Sequence, residues 1–278
     1  MSQNVSHSDT RRRYTHGHEQ ATLASHGART AANSAAFLLP VLDQGMSLLD
    51  VGCGPGTITL DLAELVAPGT VVGIENVEEP LKAARAAAER RGDSRTRFQV
   101  GDATDLPFED DSFDVVHAHQ VLQHLTDPVR ALKEMARVCK PGGWIAARDA
   151  DYAAMTWYPE VPELDEWRRV YRAVARANGA EPDAARRMRA WATEAGLTGA
   201  RYTASVWNYA DAEICHWWGY SQADRHVGQT FANQAAEQGV TVADLDRIAA
   251  GWRTWGDAPD AWFAILHGEL LAQAPHQS

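Results

Sequence analysis

Residues 48–60 read Leu-Leu-Asp-Val-Gly-Cys-Gly-Pro-Gly-Thr-Ile-Thr-Leu. The apolar beginning predicts a strand, the glycines at every second position predict a tight turn, and a helical pattern follows Gly56. A turn with so little side chain lets a ligand lie directly against the main chain. Glu75 ends the next apolar run, 19 residues after Gly56, and a carboxylate at a strand tip can accept two hydrogen bonds from a ribose diol. Together, the turn and the carboxylate predict a nucleoside site.

The glycine turn also lacks two features that phosphate-binding turns need. A dinucleotide-binding turn has the pattern G-x-G-x-x-G/A, whereas Thr57 stands here where the third glycine of that pattern belongs. No P-loop lysine follows the turn either. We therefore expect a nucleoside that carries no phosphates.

Strands and helices are predicted to alternate after this turn. The predicted strands cover residues 48–52, 71–75, 97–101, 113–119, 144–149, 200–209 and 261–271. Alternation of this kind indicates a parallel sheet, which binds ligands outside the carboxyl ends of its strands at the topological switch point. Glu75, Asp102 and Gln120 all follow or end such strands, so we expect them at one edge of the sheet.

Six motifs in a fixed order carry a resemblance to a known family. They occupy residues 50–56, 73–75, 101–108, 113–116, 121–125 and 140–143. In this order they resemble the class I S-adenosylmethionine-dependent methyltransferases, most closely the UbiE-like branch of ubiquinone and menaquinone biosynthesis, over residues 48–152. The resemblance implies an α/β fold with a doubly wound, mostly parallel, seven-stranded Rossmann-like sheet. It also implies N-terminal helices and a helical insert near the C-terminus.

The same resemblance implies S-adenosylmethionine as the cofactor and assigns residues to it. The predicted cofactor-binding residues are Tyr14, Asp50, Gly52, Cys53, Gly54, Glu75, Asn76, Gly101, Asp102, Ala103, His119, Gln120 and His124. Glu75 is expected on the ribose, Asn76 beside the adenine, and Asp102 on the exocyclic amine of the adenine. Asp50 either orients the turn or meets the methionine amino group, directly or through water.

Two residues are candidates for catalysis, His119 and Asp149. His119 ends the fourth predicted strand and is either a pocket wall or a general base, since a histidine pKa of about 6.5 suits proton removal at neutral pH. Asp149 follows the fifth strand and, with Asp151, could face an acceptor. No metal site is predicted, because no third carboxylate stands at a compatible spacing.

The remainder of the chain suggests how the site is enclosed. We expect a tail and helical lid over residues 1–45 and a methyltransferase domain over residues 46–278, with acceptor-binding helical insertions at about 152–198 and 210–258. Residues 14–18 (Tyr-Thr-His-Gly-His) are either a lid over the cofactor or a frayed terminus. Every tryptophan except Trp144 comes after residue 156. Those tryptophans either pack the core or line an acceptor pocket.

Composition restricts the partners of the protein. The formal net charge of −11 argues against a nucleic-acid surface, and no apolar run approaches the length of a membrane span. Three scattered cysteines, Cys53, Cys139 and Cys215, are typical of reduced thiols in a cytoplasmic protein and argue against an arsenite acceptor. The expected partner is a small-molecule acceptor, with no nucleic acid and no membrane; a homo-oligomer stays open.

The sequence therefore predicts transfer of a methyl group from S-adenosylmethionine to a small, partly apolar or aromatic molecule by in-line displacement. Oxygen, nitrogen and carbon acceptors all stay open. A non-catalytic S-adenosylmethionine-binding protein is one alternative. A nicotinamide-dependent oxidoreductase is another, which Thr57 and the missing third glycine disfavour.

Overall fold

The computed structural model describes residues 29–275. Tyr14 and the expected lid at residues 14–18 lie outside the described residues. The strands are β1 (Leu48–Val51), β2 (Val71–Glu75), β3 (Thr96–Val100), β4 (Phe113–His119), β5 (Cys139–Ala150), β6 (Thr156–Tyr158), β7 (Arg201–Tyr209) and β8 (Trp262–Gln273). The helices are α1 (Ala31–Ser34), α2 (Thr57–Leu65), α3 (Glu78–Arg91), α4 (Pro128–Val138), α5 (Pro162–Ala177), α6 (Met188–Glu194), α7 (Ala212–Val227), α8 (Gln229–Ala236) and α9 (Val242–Gly256).

These strands form one sheet in the order β3-β2-β1-β4-β5-β8, with β7 and the short β6 also paired to β8. The first five strands are parallel, and β8 runs antiparallel to β5. The chain leaves β1 towards β2 on one side and later returns to β4 on the other, so the switch point lies between β1 and β4. The predicted α/β, doubly wound, mostly parallel fold is confirmed.

Local sequence signals set the ends of several helices. The Asp127 side chain accepts a hydrogen bond from the Arg130 N–H at 2.9 Å, and Pro128 occupies the first position of α4. Helix α3 ends at Arg91 with Gly92 as its cap. The sequence alone predicts an N-cap at Asp127 and a helix from Pro80 to Gly92, and the structure agrees to within two residues because capping depends only on neighbours in the chain.

Apart from the earlier start of β5, at Cys139 instead of residue 144, the structure differs from the expected strand and helix pattern in two places. The sheet has an eighth strand, β6, because β8 extends past the end of β5 and Thr156 pairs with Ala264 there. The pattern of residues 184–195 predicts one helix, but the segment begins as a 3₁₀ turn at Ala184–Arg187 and becomes α6 only at Met188. Both differences concern the second half of the chain.

Aromatic side chains build a separate core beneath the helical insert. Trp167 and Trp252 meet edge to face with their ring centroids 4.8 Å apart, and Trp255 and Phe263 pack against them. Trp252, Trp255 and Phe263 are fully buried. Most of the tryptophans therefore pack the protein, which was one of the two expectations for them.

No helix within residues 29–275 has the length and apolar character that crossing a membrane requires.

Candidate functional site

A large cavity opens at the carboxyl ends of β1, β2 and β4, and it encloses about 1680 Å³ with the open solvent at its mouth included. Eleven of the residues predicted to bind the cofactor line it. They are Asp50, Gly52, Cys53, Gly54, Glu75, Asn76, Gly101, Ala103, His119, Gln120 and His124. The sheet topology thus brings together residues that the sequence spreads over 75 positions, from Asp50 to His124, because parallel strands end at the same edge.

The glycine turn presents main chain to this cavity. Gly52 and Gly54 both have positive φ, at +70° and +53°, a conformation that L side chains rarely adopt. A Cβ on Gly52 would collide with Val121 Cγ2, whereas no described atom lies within 4 Å of the Cβ position of Gly54. The space beside Gly54 is therefore available to a ligand.

Glu75 lies at the tip of β2 and is tied to the turn. Its Oε2 accepts a hydrogen bond from the Gly54 N–H at 3.3 Å. Burial raises the pKa of Glu75, and the N–H groups of Gly54 and Asn76 oppose that rise by stabilising the carboxylate. The two carboxylate oxygens have about four acceptor sites between them, so the bond from Gly54 leaves capacity for a diol.

Asp50, at the core of β1, uses both of its oxygens on protein groups. Oδ2 accepts a hydrogen bond from the Thr59 hydroxyl at 2.5 Å, and Oδ1 lies 2.8 Å from His117 Nδ1. The carboxylate therefore fastens the first turns of α2 to the middle of the sheet. Both roles expected for Asp50 at the cofactor stay predictions.

Two of the predicted contacts have a plain structural explanation. Burial raises the pKa of the Cys53 thiol well above its ordinary value, and the nearby Asp50 and Glu75 charges act in the same direction. Cys53 is thus a neutral packing residue at the cavity wall.

Asp102 is exposed and is not one of the residues that line the cavity. Its Oδ1 accepts hydrogen bonds from the Thr104 N–H and hydroxyl at 2.8 and 2.9 Å. That is the geometry of a turn-forming aspartate, so the expected contact of Asp102 with adenine gains no support here.

Gln120 connects the two sides of the cavity. It has φ of +54°, an uncommon conformation for a residue other than glycine. Its Oε1 accepts a hydrogen bond from Arg29 at 2.7 Å, and its Nε2 lies 2.8 Å from His267 Nε2. No pattern in the sequence pointed to Arg29, which is 91 residues away in the chain.

His119 and His124 line the cavity as neutral rings. Burial lowers the pKa of His119 well below its usual value, with further lowering from the Arg29 and Arg148 charges. Neither ring nitrogen of His119 has a hydrogen-bond partner within residues 29–275. Burial also lowers the pKa of His124 to about 3. His119 forms part of the cavity wall. To act as a general base, it would have to take up a proton next to the positive charges of Arg29 and Arg148.

Asp149 and Asp151 are held by protein groups and are not among the residues that line the cavity. Asp149 Oδ1 accepts a hydrogen bond from the Gln123 N–H at 3.1 Å, and burial raises its pKa to about 7. Asp151 pairs with Arg186 at 2.6 Å. The geometry gives Asp149 a structural contact, and its catalytic role stays a prediction.

The other half of the cavity is lined by side chains from the second half of the chain. Trp167, Trp207 and Trp218 belong to the tryptophans for which an acceptor pocket was one of two expectations, whereas the sequence did not single out Tyr152, Met155, Tyr209, Gln222, Arg225 and Ile265. Tyr209 and Trp218 stack with ring centroids 4.7 Å apart and an interplanar angle of 11°. The spacing of Trp218, Gln222 and Arg225, which puts them on one face of a helix, was the signal that could have identified part of this set.

A family model described as a methyltransferase domain matches residues 42–206. An uncharacterised methyltransferase of Schizosaccharomyces pombe is 32% identical to this chain over 276 residues, covering 93% of this chain and 95% of that protein. A demethylmenaquinone methyltransferase of Lactococcus lactis is 38% identical over 121 residues, which cover 43% of this chain and 48% of that enzyme. Among solved structures, the YcgJ protein of Bacillus subtilis superposes with a TM-score of 0.56 at 19% identity, covering 87% of this chain and 98% of that chain. This last likeness shows the shared fold.

Proposed function

This chain belongs to the S-adenosylmethionine-dependent methyltransferases, and we propose that it methylates a small, partly apolar or aromatic molecule. The observation that carries the proposal is one continuous cavity. It joins the glycine turn and Glu75 to an aromatic wall that includes Trp207, Tyr209 and Trp218. A cavity of this kind has room for the cofactor at one end and a flat acceptor at the other.

The residues at the first end fit S-adenosylmethionine. The free space at Gly54 allows close approach to main chain, and Glu75 offers acceptors for the ribose diol. Asn76 at the rim would flank the adenine. Arg29, which bonds Gln120 at the end of β4, would supply a cation for the carboxylate of the methionine part.

The second end combines Trp207 and Tyr209 of β7 with side chains from the two helical insertions proposed at about 152–198 and 210–258. Tyr152 and Trp167 come from the first, and Trp218 and Gln222 come from the second. Their apolar surfaces exclude water and would hold a flat acceptor in line with the reacting carbon. This assignment of the insertions supports an acceptor of limited size that carries aromatic or other apolar surface.

When bound, S-adenosylmethionine supplies an electrophilic methyl group and leaves as a neutral thioether. The chain then has to align the acceptor and keep the cavity dry, and it needs a base only where the acceptor atom carries a proton that must leave. We propose that His119 forms part of the cavity wall beside the reacting groups. Where the acceptor has to lose a proton, we propose that His119 is also the base. The free and buried Cys53, Cys139 and Cys215 support a reducing, cytoplasmic location, which we also propose.

Substitution of Glu75 tests the cofactor end directly. We expect Glu75→Gln to weaken S-adenosylmethionine binding by about tenfold, because an amide offers fewer acceptor sites to a diol. The pKa of Glu75 is raised by burial, so at neutral pH its charged form opposes folding. The ligand-free variant should therefore be as stable as the parent protein or more so. Isothermal titration and thermal unfolding measure the two effects.

Glu79→Gln is the matched control, since Glu79 is exposed on α3 and pairs with Lys82. In the parent protein, affinity for the cofactor should fall as the pH is lowered through the raised pKa of Glu75. Equal affinity of the Glu75 variant and the control would remove the proposed ribose contact.

Methyl transfer itself is tested with labelled cofactor. The full chain is incubated with small-molecule extracts and S-adenosylmethionine labelled in its methyl group, and products are separated by mass spectrometry. We expect a labelled product of small mass. Cofactor binding without turnover on any extract, or label confined to macromolecules, would contradict the proposal.

A further inference from the structure

One face of helix α7 presents a row of hydrogen-bond donors to the cavity. Trp218, Gln222 and Arg225 stand at positions i, i+4 and i+7 of this helix, and all three line the cavity. They are 9%, 2% and 8% exposed. An indole N–H, an amide NH₂ and a guanidinium are therefore nine-tenths buried along one stripe.

Two of these donors lack an acceptor in the protein. Trp218 Nε1 and Gln222 Nε2 are buried and have no hydrogen-bond partner within residues 29–275. A buried donor without a partner costs stability, so native proteins rarely keep one. Two on the same helical face, both on side chains that line a cavity, indicate a ligand that supplies acceptors.

The charge around this face indicates an acceptor group that is anionic. Among the described residues that line the cavity, the carboxylates are Asp50 and Glu75, both at the glycine-turn end. Arg225 belongs to the opposite end. Burial raises the pKa of Tyr209 to about 12, and the positive charges of Arg29, Arg225 and Arg148 act against that rise. This end of the cavity is therefore electropositive.

The walls next to the donors are flat and aromatic. The Trp218 ring is fixed by its stack on Tyr209, and Tyr152 stacks on Tyr171 with ring centroids 4.1 Å apart. Trp207 also lines the cavity and packs against His119, with ring centroids 5.6 Å apart. Such walls favour a planar, apolar body over a branched or strongly hydrated one.

We propose that the methyl acceptor is a planar aromatic carboxylate whose carboxylate group is bound by Trp218, Gln222 and Arg225. This inference rests on the proposed function and adds the substrate class. A carboxylate has two oxygens in one plane, which matches the planar fork of a guanidinium and leaves lone pairs for the amide and indole donors.

The cofactor is the other source of a carboxylate, through its methionine part. Arg29 also lines the cavity and bonds Gln120 at the end of β4, the strand end proposed for the methionine part. Arg225, in contrast, comes from the second helical insertion, together with Trp218 and Gln222. The assignment of the three donors to the acceptor is therefore testable by measuring the two ligands separately.

The test uses the full chain saturated with S-adenosylhomocysteine and compares acids with neutral amides of the same shape. The probes are benzoate and 2-naphthoate against benzamide and 2-naphthamide, followed by tryptophan fluorescence and isothermal titration. We expect at least one acid to bind about tenfold or more tightly than its amide. Arg225→Met should abolish this preference, and Gln222→Leu should reduce it about threefold without loss of stability, because it removes an unpartnered donor.

Arg253→Met is the matched control: it removes the same charge from α9, where Arg253 makes an exposed pair with Asp224. The control should keep the preference of the parent for acids, and all three variants should bind S-adenosylhomocysteine within about twofold of the parent.

Equal binding of acids and amides by the parent, or no binding of either acid, would overturn the inference. Weakened S-adenosylhomocysteine binding in Arg225→Met would overturn it too, since the cation would then serve the cofactor. Failure of the parent to bind S-adenosylhomocysteine would instead reject the proposed function.

Discussion

The two ends of the cavity are built in different ways. The cofactor end consists largely of main chain and of residues at the tips of consecutive strands, such as Gly54, Glu75 and Gly101. The acceptor end consists of side chains from helices and antiparallel strands far apart in the chain, such as Tyr152, Tyr209 and Arg225. Main chain at a strand tip is fixed by the fold itself, whereas a wall of side chains changes with each substitution. The difference explains how one fold can keep a cofactor and change its acceptor.

A substitution in the aromatic core would show whether the two ends can be separated. Trp252 is fully buried against Trp167 and Phe263. We expect Trp252→Ala to lower the free energy of unfolding by about 3–5 kcal/mol, because it leaves a large cavity beneath the insert. The folded fraction should still bind S-adenosylhomocysteine within about threefold of the parent, since main-chain contacts at the glycine turn are unaffected. Urea unfolding and calorimetric titration measure both quantities.

Trp252→Phe keeps most of the buried volume and should cost less than half as much. A comparable loss of cofactor affinity and of stability in Trp252→Ala would show that the two ends form one cooperative unit. In that case the acceptor end could not change without an effect on the cofactor end.

Asp149, which lies outside the cavity lining, should set part of the pH dependence of stability. Its pKa of about 7 in the folded protein lies above the ordinary aspartate pKa of 3.8, because burial disfavours the charge. The folded state thus binds more protons than the unfolded state between about pH 4 and pH 7, and stability falls as the pH rises through that window. The total loss is up to about 4 kcal/mol, and Asp149→Asn should remove it. Urea unfolding from pH 4 to pH 8 measures the difference in slope.

Asp43→Asn, on an exposed loop, is the control and should keep the parent slope. Since the amide introduced by Asp149→Asn retains an oxygen for the Gln123 N–H, that variant should bind S-adenosylhomocysteine normally. If Asp149→Asn keeps the pH dependence of the parent, burial does not raise the pKa of Asp149 and this prediction is wrong.

The smallest expected change in stability concerns the glycine turn. Gly54 and Gly239 both have positive φ, and no described atom lies within 4 Å of either Cβ position. Alanine should therefore cost about 1–2 kcal/mol of stability at both. Only Gly54 lines the cavity, so only Gly54→Ala should weaken S-adenosylmethionine binding, by about tenfold or more. Parallel titrations of the two variants measure this, and equal affinities would place the cofactor away from the turn.

Prediction from sequence succeeded where the signal is local. Asp127 and Gly92 mark helix ends because capping involves adjacent residues. Glu75 was placed at a strand tip by the end of an apolar run, and the structure brings it to Gly54. Asp102 satisfied the same local pattern, yet it forms a turn with Thr104. A strand-end position identifies an edge of the sheet without fixing where the side chain turns.

Prediction failed where contacts join distant parts of the chain. Gln120 meets His267 across 147 residues, and Arg29 reaches Gln120 across 91. No periodicity links such partners, because their proximity follows from the packing of the insert on the sheet. Arg225 was overlooked for the same reason: its spacing from Trp218 places both on one helical face, but only the packing of the insert shows that this face is buried.

The sequence by itself determined the alternation of strands and helices, the glycine turn and the carboxylate at the tip of β2. Each depends on backbone conformation or on periodicity over a few residues, which neighbouring side chains dictate. Only the tertiary structure decided which side chains enclose the acceptor end, and that Asp149 is held outside the cavity while Arg225 lines it. Burial and the resulting electrostatic field depend on every element packed around a group, so they exist only once the chain has folded.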